Sequence, residues 1–158
     1  MRLDVPFTLG PFLVNGNGRL SPGTPERFPS FRVTWRDHVL HARLTDAGPE
    51  GGTLALQAVL GRVPSTGRPG GPGTLPRQTA FAALRALPET LPPGWKLVLL
   101  ADHRIVAQAL IQLALPTSAE ELVSELTLFL LRLAPYLDLL AEGVGVERVV
   151  NAAAAPGA

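Results

Sequence analysis

Residues 94–143 read GWKLVLLADHRIVAQALIQLALPTSAEELVSELTLFLLRLAPYLDLLAEG, and the fold turns on how this stretch divides. Its second part, 117–143, is patterned as a helix. Thr117 and Ser118 each have a glutamate three residues on, Glu120 and Glu121, so either pair can close a capping box. Pro116 stops whatever precedes them. Leu122, Leu126, Phe129, Leu133, Leu137 and Leu140 then recur at three- and four-residue steps, the spacing of one buried stripe. The remaining apolar residues do not fit that stripe. Around Leu128–Leu133 they crowd every side, so a second face needs a second cover. Pro135 predicts a kink, and Gly143 a C-terminal stop.

The first part is a hairpin, with strands at 95–101 and 104–115 joined at Asp102-His103. In the second strand Ile105, Ala107, Ala109, Ile111 and Leu113 alternate with a wetter set that includes Gln108 and Gln112. That is a half-buried strand, and the helix after it is the natural cover for its apolar side.

Working outward, residues 6–20 (PFTLGPFLVNGNGRL) predict a strand, a turn at Asn15-Gly16-Asn17-Gly18 and a return. Residues 21–30 are a loop by composition. Phe31, Val33 and Trp35 alternate up to a turn at Arg36-Asp37-His38, and a return strand carries Val39 or Leu40 and Leu44 inward. GPEGG turns into a third apolar strand, TLALQAVLGRV (53–63). Residues 64–74, PSTGRPGGPGT, hold three prolines, four glycines and no large apolar side chain, which predicts a mobile loop. A helix over 75–87 follows, with Phe81, Leu84 and Leu87 on one side. The expected architecture is α+β: a mostly antiparallel sheet with helices on one face, in the order β-meander, helix, β-hairpin, long C-terminal helix. Residues 1–143 form one domain in this reading, and 144–158 a tail that is partly disordered. The turns WRDH (35–38) and ADHR (101–104) are alike, as Asp in tight turns often is.

With 158 residues there is enough chain for a self-sufficient core, and without cysteine there is no thiolate chemistry. No secretion signal or membrane span is legible, so a soluble, cytoplasmic protein is expected. Net charge is +1, but residues 1–87 hold ten Arg against five acids, and 88–158 four bases against eight acids. Thirteen of the fourteen bases are Arg, a bias that GC-rich bacterial codons explain without nucleic acid.

Candidate chemistry is sparse. His38 and His41 form an H-x-x-H, but spacing three across a strand puts them on opposite faces, so no metal is expected. Asp37-His38 and Asp102-His103 read as turn residues. Glu120, Glu121 and Glu125 read as charge near the positive end of a helix. No nucleophile elbow or phosphate loop is present. Phe31 and Trp35 interleave with Arg32, Arg36 and Arg43, but the aromatics fall on the apolar side of the hairpin and read as core. No catalytic, cofactor or metal residue is therefore expected.

The layout of WKLVLLADHRIVAQALIQLALPTSAEELVSELTLFLLRLAPYLDLL (95–140), with three strands and a helix before it, resembles the type III secretion chaperone fold and a related bacterial sensory-transduction-regulator family. The segment Ala134-Pro135-Tyr136-Leu137 is similar to the alanine-aromatic-leucine end of their long helix. The resemblance implies a dimeric, non-enzymatic protein that binds another protein or peptide. The residues add a surface for the dimer: Leu128, Leu131 and Leu139 lie off the buried stripe. Arg62 and Arg68 flank or occupy the 64–74 loop and are candidates for a partner-binding element. Alternatives from other classes are a small-ligand or enzymatic pocket between sheet and helices, and nucleic-acid binding by the Arg-rich half. Convergent polar groups would mark the first, a contiguous Arg surface the second.

Overall fold

The computed structural model describes residues 7–23, 29–48, 51–64, 74–142 and 146. Strands β4 (Ser30–Trp35), β5 (His38–Gly48) and β6 (Gly51–Arg62) form the expected meander, and β7 (Trp95–Leu99) and β8 (Arg104–Leu113) the expected hairpin. They join into one antiparallel five-stranded sheet in the order β4-β5-β6-β8-β7. Helix α1 (Thr74–Ala86) and a 3-10 turn (Leu87–Thr90) connect β6 to β7, and α2 (Ala119–Glu142) follows β8. The fold is α+β with a long C-terminal helix, as the apolar pattern requires.

Each long strand sends alternate residues into one core. Leu40, Ala42, Leu54, Leu56, Ala58, Ile105, Ala107 and Ala109 are buried in the same cluster as the whole α2 stripe, Leu122 through Leu140. α1 adds Ala80, with Phe81 and Leu84 half-buried against it. Both helices therefore lie on one side of the sheet. Trp95 stacks on Phe129 at 4.5 Å between ring centroids, and the Tyr136 hydroxyl donates to the Thr90 carbonyl at 2.6 Å. These contacts pin the middle of α2 to β7 and to the 3-10 turn.

The N-terminal part departs from the predicted single hairpin. Gly10, at φ +56°, turns the chain early, and β1 (Phe7–Leu9), β2 (Phe12–Val14) and β3 (Leu20–Pro22) make a separate three-stranded sheet. Ser21 and Pro22 thus belong to a strand, where composition alone predicts loop; Pro22 sits at the strand end, where its missing amide is tolerated. The turn at Asn15–Gly18 does form, and the Asn15 side chain accepts from the Asn17 and Arg19 amides. Phe12, Val14 and Leu20 join the main core, and the Leu20 amide donates to the Thr117 carbonyl just ahead of α2.

α2 begins at Ala119, two residues inside the predicted start, because Thr117 and Ser118 act as its cap. It runs unbroken through Pro135 to Glu142. The two Asp-His turns are not equivalent. Arg36 and Asp37 both take positive φ, a two-residue loop, whereas Ala101–His103 is a three-residue loop with only His103 at positive φ. Residues 65–73, most of the glycine-rich loop with Arg68, lie outside the described residues, as do Gly143 and the tail 144–158 apart from Val146.

Candidate functional site

Because every covering element lies on one side, the other side of the five-stranded sheet has no described element packed on it. Register lines up its side chains in rows. Arg32, His41, Gln57, Gln108 and Lys96 are lateral neighbours across all five strands. At 4.7–4.9 Å per strand the row is about 19 Å wide. The adjacent row holds Ser30, Arg43, Ala55 and Leu110. On the other side of the polar row lie Thr34, Val39, Val59, Val106 and Val98, with Val106 buried at 5 % exposure. Small side chains at the centre leave a trough of about 570 Å³, edged by Arg32, His41, Arg43, Gln57 and Arg104.

Among the described residues the electrostatics of this face are one-sided. Arg32, Arg43 and Lys96 are exposed and make no ion pair among the described residues. Arg104 is spoken for: its Nε donates to Asp102 at 2.6 Å, while Arg62 Nε donates to the Asp102 carbonyl at 3.0 Å. The Arg104 backbone amide and then its guanidinium hold the Asp102 carboxyl below its ordinary range.

A second surface is the back of α2. Leu128, Leu131 and Leu139 are 46 %, 61 % and 48 % exposed, and exposed Pro135 lies between them on the same side. At 1.5 Å per residue this ridge is about 16 Å long. It faces directly away from the buried stripe, since 128, 131, 135 and 139 step by three and four.

A third place is a cavity of about 360 Å³ between the β4–β5 turn and the end of α2, lined by Arg36, Asp37, His38, Leu137, Asp138 and Val146, among others. Its polar groups are largely satisfied. Arg36 pairs with Asp138 at 3.0 Å and lies over Trp35. His38 Nδ1 is 2.8 Å from the Val59 carbonyl, which only accepts, so Nδ1 donates this bond and Nε2 is left for another partner. Among the described residues its lining holds no Ser, Thr, Lys or Tyr. His41 sits on the open face and His103 in the β7–β8 turn, so the three histidines are apart; among the described residues no metal-ligand cluster occurs.

Of the predicted partner-loop residues, Arg62 is fixed to the β7–β8 turn and Arg68 lies outside the described residues. The polar row across the sheet was not legible. Strand alternation places one polar residue at a time, and only the pairing register makes Arg32, His41, Gln57, Gln108 and Lys96 a single row.

Comparison with known proteins finds no matching family model, no matching curated protein and no matching solved structure. Among the described residues no helix is long and apolar enough to cross a membrane.

Proposed function

We propose that this chain is a non-enzymatic protein-binding domain, chaperone- or adaptor-like, that acts as a dimer through the outer ridge of α2. The observation that carries the reading is the exposure of Leu128, Leu131 and Leu139 on one straight line of a helix whose opposite face is fully buried. Fully burying a leucine is worth about 1.5–3 kcal/mol. Half-exposed ridges from two protomers therefore stand to gain about 4–9 kcal/mol, against an association cost of about 4–15 kcal/mol. That balance describes a weak, concentration-dependent dimer rather than an obligate one. A two-fold contact uses the same ridge twice, the commonest arrangement among soluble homo-oligomers. The element order of the type III secretion chaperone layout supports the same reading, as does the open sheet face, which is free to receive a segment of a partner. A bacterial, cytoplasmic setting is part of the proposal, consistent with the Arg-for-Lys bias and the absence of cysteine.

Sedimentation across a range of concentrations tests the dimer. Association is expected in the tens of micromolar and is lost in Leu128→Glu or Leu131→Glu; a wild type that stays monomeric throughout defeats it.

The cavity at the β4–β5 turn supports a second reading, a small-ligand site between sheet and helix. Its ion pair and single free imidazole nitrogen suit a small polar ligand. A thermal-shift screen of small organic anions and cations tests it, with Asp138→Asn expected to remove any stabilisation seen.

A further inference from the structure

We infer that the open face of the five-stranded sheet is the seat of an acidic polypeptide segment. The inference rests on the protein-binding reading above and names the chemistry of the partner. Arg32 and Arg43 are diagonal neighbours on β4 and β5, and Lys96 closes the same polar row at the far edge. All three are exposed and have no counter-charge among the described residues. Asp102, at the β7–β8 turn, is already held by Arg104. Arg32 and Arg43, side by side with no acid paired to either among the described residues, repel each other, and an anionic partner relieves that repulsion.

Three features favour a polypeptide over nucleic acid. Guanidinium groups bind carboxylates and phosphates alike through two parallel hydrogen bonds, so the cations fix the sign of the partner and the rest of the face its class. Gln57 and Gln108 sit between the cations, where their amides can pair with the backbone of an extended segment. Leu110, at the edge of the same face, is 63 % exposed and offers an apolar foothold. Sheets that bind single-stranded nucleic acid instead present aromatic side chains on which bases stack. Here Phe31, Trp35 and Trp95 all point into the covered side and pack against the core.

A fluorescein-labelled peptide of alternating glutamate and leucine, followed by anisotropy, is the probe. It is expected to bind the full chain, and to weaken at least about tenfold as salt rises from about 0.1 M to about 1 M, where the screening length falls from about 10 Å to about 3 Å. Arg32→Glu with Arg43→Glu is expected to cost about tenfold or more and to gain affinity for the matching lysine–leucine peptide. The milder Arg32→Gln with Arg43→Gln, its fold checked by circular dichroism, should weaken the acidic peptide severalfold. Arg85→Glu, an exposed change on α1, should leave it unaffected. No measurable binding at low salt, equal binding by the glutamine variant, or tighter binding of polydeoxythymidylate than of the peptide each overturns the inference. Sedimentation of the same samples reads the dimer separately: a monomer that binds the peptide sinks the dimer alone, and a dimer that ignores it sinks only the acidic-segment assignment.

Discussion

Glu121 is the residue on which the long helix starts. Its Oε2 accepts from the Ser118 amide at 2.9 Å and from the Thr117 hydroxyl at 3.0 Å, and Ser118 Oγ accepts from the Glu121 amide at 3.1 Å. The box is therefore Ser118–Glu121; the sequence left the Thr117–Glu120 pair equally open. Thr117 is diverted because it is buried and its carbonyl takes the Leu20 amide. Ser118→Ala is expected to cost about 1 kcal/mol in urea unfolding. The bonds to Ser118 and then Thr117 lower the Glu121 pKa. A lowered folded value means the stabilisation is complete above the ordinary glutamate pKa and is lost as pH falls through the folded one. Acid titration of stability should thus be shallower in Glu121→Gln than in wild type; identical acid slopes would show that folding does not lower the Glu121 pKa. Gly51 is the other decisive residue. Its φ is +145°, and an added Cβ would stand 2.7 Å from the Leu113 carbonyl oxygen. Gly51→Ala is expected to lose roughly 1–3 kcal/mol, read as a drop in Tm.

At the scale of elements, α2 carries two faces with opposite roles. Phe129 is 2 % exposed and stacked on Trp95, so Phe129→Ala should cost about 3–5 kcal/mol, from lost burial and the cavity left behind. Leu126→Glu, on the same stripe, should unfold the chain by burying an unpaired charge. Leu131→Glu, a few residues away on the ridge, should leave the monomer's free energy of urea unfolding within about 0.5 kcal/mol of wild type. A large loss there would mean that the ridge is covered within one chain. Both faces were legible from the three- and four-residue steps. What the steps could not give is how the sheet lies beneath them: the Trp95–Phe129 stack joins residues from β7 and α2 that no local pattern links.

For the whole molecule, the loop between β6 and α1 is where the chain should be most open to attack. Its composition predicts mobility over 64–74, and the arginines at its ends are held. Arg62 donates to the Asp102 carbonyl, and Arg77 donates to the Pro64 carbonyl at 2.7 Å and lies over the Phe81 ring. Proteinase K, which needs no basic residue, is therefore expected at low ratio to cut within residues 65–73 before it cuts at Arg62 or Arg77, giving two fragments on a denaturing gel; trypsin would be blocked at Arg68 by Pro69. First cleavage at Arg62 or Arg77 would show that these anchors are loose.

Sequence by itself determined the elements from β4 to α2 and the buried stripe of α2. Period two marked β4, β5 and β8, apolar runs beside turns marked β6 and β7, steps of three and four marked α2, and hydroxyl–glutamate pairs marked its start, because each signal lies within a few residues of chain. It also singled out Leu128, Leu131 and Leu139 as surplus to one buried stripe, and they are exposed. Only the tertiary structure decided that Gly10 splits the N-terminal strand into a second sheet, and that Arg36 turns to Asp138 on α2. It alone aligned Arg32, His41, Gln57, Gln108 and Lys96 in one row. These depend on which residues far apart in sequence become neighbours, and a shift of one residue in any strand pair would turn that strand's side chains to the opposite face.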